Sequence, residues 1–191
     1  MSDLLTAFPM EAEDHLAGAT GTPTDTSPLP ADRPVTVVGQ WHRTFEVTPG
    51  RLDETAREAF THGQCHAFAR ALNEATGWPT IGLLTDDCDG QNRMCLDGGG
   101  TRCPCRIGHI VCLRPDGAHV DIKGAHSPLR VPDCTNAASL PMTAELWHAI
   151  DNAPVWREAN MPVARSLVAP LLASLAAIYD REPALPKPAS P

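Results

Sequence analysis

The sequence predicts an α+β domain in which one helix packs on a small antiparallel sheet and further helices follow toward the C-terminus. Three observations carry this expectation. Residues 65–76, entered just after Gly63, repeat Phe68, Ala69 and Leu72 at spacings of three and four, the period of an amphipathic helix. Residues 107–114 are apolar on both faces, as a central strand is, and 118–123 can return beside them through Arg114-Pro115-Asp116-Gly117. Residues 162–180 line up Val163, Leu167, Leu171, Leu175 and Ile178 on one helical side.

The remaining elements follow in order. Residues 1–33 carry Asp3, Glu11, Glu13, Asp14, Asp25 and Asp32 against Arg33 alone, and 20–34 are rich in Thr, Pro, Gly and Ala. Such a stretch has little to bury and is expected to be a disordered acidic tail. Residues 35–38 read as a strand. Residues 40–47 read as a second, with Trp41, Arg43 and Phe45 alternating against His42 and Thr44. Pro49-Gly50 is a turn. Residues 53–60 form a helix, with acids in its first turn and Leu52, Ala56, Ala59 and Phe60 on one face. The helix opened at Cys65 stops near Gly77, with Pro79 beyond. Residues 80–85 are a short strand, and 86–106 are irregular and Cys-rich. Residues 127–140 read as loop, 143–150 as a short helix, and 182–191 as a Pro-rich tail. A helix over 162–180 should be kinked at Pro170, with Trp147 and Trp156 anchoring it. Residues 34–181 therefore constitute the folded domain, with 86–106 as an insertion.

Composition narrows the function classes. At 191 residues and 42% hydrophobic the chain can bury one core, and with aromatics at 5% that core must be largely aliphatic. A net charge of −8 lacks the basic footprint of a nucleic-acid binder and repels an anionic membrane surface. The most apolar run, 166–179, is too short to span a bilayer and contains Pro170. No secretory signal opens the chain, and seven Cys is an odd count. A cytoplasmic protein with free, catalytic or metal-bound thiols is expected, with secretion as an effector or delivery by a phage as alternative routes.

The chemistry gathers at three residues. Cys65 stands where the helix begins, facing unpaired N–H groups and the positive end of the helix dipole, and both favour thiolate over thiol. A thiolate nucleophile needs a base, and His109 offers one. Asp121 follows 12 residues later. Arg-Pro-Asp-Gly suits a type I turn with Gly117 left-handed after it, a three-residue hairpin loop. That loop opposes Arg114 to Ala118 and Val111 to Asp121. Asp121 then lies diagonally from His109, at roughly 7 Å between Cα atoms. A loop one residue shorter would put Asp121 on the other face. In this arrangement Cys65 attacks a carbonyl, His109 protonates the leaving amine, and Asp121 orients the imidazole. The Cys65 backbone N–H is one oxyanion donor; Gln64 and Gln40 are candidates for a second, and His66 for lining the cleft. His119 shares the face of Asp121 and rivals His109.

Gly-Gln-Cys-His-Ala-Phe-Ala, residues 63–69, resembles the nucleophile helix of papain-type proteases, with His66 standing where that motif has Trp. Gly-His-Ile-Val, an Asp-Gly hairpin and a polar residue twelve after the His are similar to NlpC-type cell-wall peptidases. Cys on a helix with His and Asp on successive strands also resembles transglutaminase-like enzymes and arylamine acetyltransferases. The resemblance covers residues 63–123 and implies a papain-like fold with the site at the helix–sheet junction. It also implies a thiol hydrolase acting on an amide or isopeptide bond of a protein or peptide. Peptidase, amidase, deamidase and acyl-transfer chemistry all use such a site, and none requires a cofactor.

A second reading starts from Cys88, Cys95, Cys103 and Cys105, which invite structural zinc without forming paired C-x2-C knuckles. With His109 as a further ligand, the protein would be a zinc-stabilised binding module with no chemistry. Free thiols and disulfides are the other states open to these residues.

Overall fold

The computed structural model describes residues 33–85, 104–127, 138–153 and 156–179. Among them the chain is α+β, with four helices and antiparallel sheets. Strands β1 (Val35–Val38) and β2 (Thr44–Val47) form a hairpin, followed by helices α1 (Glu54–Thr61) and α2 (Cys65–Thr76). Then come β3 (Thr80–Leu84), β4 (Ile107–Leu113), β5 (His119–Asp121), β6 (Gly124–His126) and β7 (Ser139–Pro141). These five form one antiparallel sheet in the order β6-β5-β4-β3-β7. Helices α3 (Ala144–Asn152) and α4 (Met161–Tyr179) complete the described chain.

Each helix begins and ends for a local chemical reason. The Asp53 carboxylate accepts the Ala56 N–H at the start of α1, and the Thr143 hydroxyl accepts that of Leu146 at the start of α3. The Asn160 side chain accepts the Val163 N–H in the first turn of α4. Helix α2 has no such side-chain cap at Gln64, which leaves its first-turn N–H groups without that partner. It stops at Gly77, whose left-handed conformation closes the last turn.

The sheet positions the helix that carries Cys65. Ala67, Phe68, Ala71 and Leu72 of α2 are buried in one core with Ile110 and Cys112 of β4 and Val120 of β5. Val163, Leu167, Leu171 and Leu175 of α4 join that core, as their spacing predicts. Pro170 lies inside α4. Strand β4 is central, as its two apolar faces require, and Arg114 N–H to Ala118 O at 2.9 Å closes the three-residue loop. Gly117 supplies the positive φ of that loop. The register pairs Cys112 with Val120, the one in which Val111 opposes Asp121.

Three segments differ from the sequence expectation. Residues 40–42 are not strand: Gln40–His42 is a 3-10 turn with Trp41 and His42 at φ 58°, and Trp41 is 79% exposed. The reason is closure of the hairpin, sealed by Gly39 N–H to Arg43 O and by Gln40 N–H to His62 O, each 2.8 Å. Residues 139 and 140, expected as loop, belong to the edge strand β7 on β3, and an edge position is where a strand tolerates a proline such as Pro141. Residues 124–126 form β6, an added hairpin on β5. The acidic tail, the Pro-rich tail and Cys88, Cys95 and Cys103 lie outside the described residues. Cys105 sits half-buried in a 3-10 turn, Pro104–Arg106.

Candidate active site

Gly63 sets where α2 begins. Its φ of 118° is left-handed territory, and a Cβ there would collide with the Gln40 nitrogen and lie 2.7 Å from the Gly39 carbonyl carbon. The hairpin turn at 39–40 is thereby packed directly against the backbone that leads into Cys65. Glycine is required for both the angle and the approach.

The two neighbours of Cys65 hold the other wall. Gln64 is buried; its amide nitrogen donates to Val38 O at 2.9 Å and Glu158 O at 3.0 Å, and its oxygen accepts Asn160 N–H at 2.9 Å. Both of its N–H groups are spent on carbonyls, so the side chain braces β1 and the start of α4. It has no hydrogen left for an oxyanion. His66 is buried too: Nε2 donates to Arg157 O at 2.9 Å and the ring packs edge-on to Trp156 at 5.2 Å. It sits beside the Cys65 thiol, sealed under residues 156–160, and not on an open wall. Trp156 is tied here by His66 and by a bond to Pro104 O. Gln40 is exposed, with its backbone N–H committed to His62 O.

Cys65, His109 and Asp121 come together, with 4%, 4% and 3% of their surfaces exposed. His109 Nε2 donates to Asp121 Oδ2 at 3.0 Å, and the imidazole is near enough to the Cys65 thiol for each to shift the other's ionisation. With Nε2 taken by the carboxylate, Nδ1 is the nitrogen left for sulfur. Asp121 Oδ1 accepts the Lys123 N–H at 2.8 Å and His126 Nε2 at 2.9 Å. Arg114 pairs with Asp116, not with Asp121, and His119 opposes Leu113 and His126 in the ladder.

Electrostatics follow from these contacts. Burial pushes the Cys65 thiol up, but the hydrogen bond and charge of His109, helped by His66, bring it down to about 6. Cys112 is the internal comparison: buried, with its thiol on Ala69 O and no imidazole, it is pushed up to about 12. Burial disfavours a charged His109, yet Asp121 and Cys65 together raise it to about 10. Burial opposes ionisation of Asp121, and His109 and His126 outweigh it, holding the carboxyl well below its usual range. The resting site is a thiolate–imidazolium pair backed by a carboxylate, which can attack an electrophilic carbon and hand a proton to a leaving group.

Among the described residues no group of three or more His, Cys, Asp or Glu is arranged to hold a metal. Sequence reasoning missed His126; its signal was the Asp121-Ile122-Lys123-Gly124 stretch, a two-residue hairpin that folds residue 126 back beside residue 119. The chain matches no protein-family model, no curated protein and no solved structure.

Proposed function

We propose that this protein is a papain-like thiol hydrolase that cleaves an amide or isopeptide bond of a protein or peptide, with Cys65, His109 and Asp121 as its catalytic triad. The observation that carries the reading is that Cys65, at the first position of α2, is buried beside His109, whose Nε2 lies 3.0 Å from the Asp121 carboxylate; this setting favours the thiolate of Cys65 and the cation of His109. Structural cysteines in apolar surroundings shift the other way, as Cys112 does. A thiolate at the uncapped start of a helix, paired to a histidine, is the arrangement nucleophilic catalysis needs.

In the proposed cycle the Cys65 thiolate attacks the amide carbon. The Cys65 backbone N–H steadies the oxyanion. His109 gives its Nδ1 proton to the departing amine, and a thioester remains. Water then attacks, losing its proton to His109, and the carboxylic acid leaves as the thiolate returns. An amine in place of water gives acyl transfer. Asp121 keeps Nε2 protonated and aims Nδ1 at sulfur throughout. The chemistry needs no cofactor, and a cytoplasmic setting that keeps thiols reduced suits it.

Iodoacetamide labelling of the full chain tests the reading. Cys65 labels ahead of the other six thiols at neutral pH, and His109→Ala abolishes its lead. Equal labelling of all seven would refute the assignment. Mass spectrometry of peptides exposed to the protein then separates backbone cleavage from side-chain deamidation.

A further inference from the structure

We propose that His126 is a positioning residue of this site, holding the Asp121 carboxylate in the plane that presents an oxygen to His109. The inference rests on the catalytic reading of Cys65 and His109 and extends it by a fourth side chain.

Strand register places His126 beside Asp121. In the β5–β6 ladder His119 faces His126 and Asp121 faces Gly124. Asp121 and His119 project from the same side of β5, since they are two residues apart. His126, opposite His119, projects from that side too and is the diagonal neighbour of Asp121, within reach of a long side chain. His109 is the diagonal neighbour on the other flank, in β4. One carboxylate thus lies between two imidazoles carried by the strands on either side of it.

The two oxygens are used unequally. Oδ2 has His109 at 3.0 Å. Oδ1 has His126 at 2.9 Å and the Lys123 N–H at 2.8 Å. The Lys123 bond is the turn closing on its own aspartate and fixes one point of the carboxylate. Two donors on one oxygen fix the carboxylate plane, because any rotation about the Cβ–Cγ bond short of the equivalent half-turn breaks both. Oδ2 is then left to a single partner. A carboxylate accepts only, so His126 carries its hydrogen on Nε2. His119, the other titratable group facing His126, has its imidazole pushed down by burial first and by the charge of His126 second, and no hydrogen bond joins it to Asp121 among the described contacts. The side chain of His126 is 17% exposed against 4% for Asp121, which places it on the solvent side of the pair.

Rates of iodoacetamide alkylation of Cys65 across pH, in the full chain, test this. The variants are His126→Ala, His126→Gln and His126→Asn, each first shown to unfold cooperatively. The Gln amide nitrogen reaches the place of Nε2, and the shorter Asn does not. His126→Ala and His126→Asn move the half-point of the alkylation curve up by about one pH unit, roughly a fivefold loss of rate at pH 6, and His126→Gln restores it. A merely structural histidine would alter melting without moving the half-point. Half-points that coincide with the wild type, that move downward, or that Gln fails to restore would overturn the proposal while leaving the Cys65–His109 assignment in place. A wild-type Cys65 with no preferential labelling would remove both. Should His126→Ala not fold, the contrast between Gln and Asn decides.

Discussion

His109 Nε2 lies 3.0 Å from Asp121 Oδ2, and the two side chains are 5% and 4% exposed. A charged pair so far from water persists only when its partners compensate the lost hydration. Here the thiolate of Cys65 on one side and the donors to Asp121 on the other supply that compensation, and the consequences are measurable.

Turnover and labelling should part at high pH. The thiolate–imidazolium pair exists between about 6 and about 10. Amide hydrolysis needs both members and should be bell-shaped, with limbs near those two values. Alkylation needs only the thiolate and should rise near 6 and stay high above 10. A turnover curve with no alkaline limb would contradict the role of His109 as the acid.

Asp121→Asn should lower turnover by about 10²-fold or more, because the amide no longer fixes the tautomer of His109. Its effect on stability has a definite sign. The folded-state value of Asp121 is depressed from 3.8, so its stabilising contribution is fully present above that value and is lost as pH falls through the lower, folded-state one. The gap in unfolding free energy between wild type and Asp121→Asn should hold above about pH 4 and close below it, as urea titrations at several pH values would read.

Gly63→Ala should cost at least about 2 kcal/mol, since it combines a left-handed backbone with a backbone clash. It should also erase the selectivity of Cys65 labelling, because relieving the clash moves the start of α2. Gly77→Ala is the control at the other end of the same helix. There φ is 71° with open space around the site, so about 1 kcal/mol is lost and labelling is unchanged.

Gln64→Leu should lower stability by about 2–4 kcal/mol by stranding the carbonyls of Val38 and Glu158 and the N–H of Asn160. The alkylation half-point of Cys65 should stay near 6 in the folded variant. Intact stability with lost turnover would instead mark Gln64 as an oxyanion donor.

EDTA should leave Cys65 labelling unchanged. His109 has Nε2 on Asp121 and lies buried beside the Cys65 thiol, a setting already committed to two neighbours. Loss of selective labelling on chelation, restored by zinc, would favour the metal-module reading.

Much of this was legible along the chain. Helical spacing after Gly63 located α2, and Gly77 with Pro79 marked its end, because those signals are local consequences of backbone sterics. The Arg-Pro-Asp-Gly loop carried the register of β4 and β5, and with it the diagonal of His109 and Asp121, since a hairpin's loop length sets its pairing. The turn at residues 40–42 was not legible. Its alternating pattern reads as strand, and only the closing hairpin and the approach to Gly63 forbid that.

The sequence by itself determined which residues could do chemistry and which elements carry them, because period, turn type and capping act over a few neighbouring residues. Tertiary structure alone decided what those residues touch. It spent Gln64 on three backbone groups, sealed His66 beneath Trp156, and inserted a bulge opposite Leu83 and Leu84 beside His109. It also brought His126 onto Asp121. Each of those contacts joins segments whose separation along the chain no local rule spans, or depends on a strand pairing that exists only once the sheet has formed.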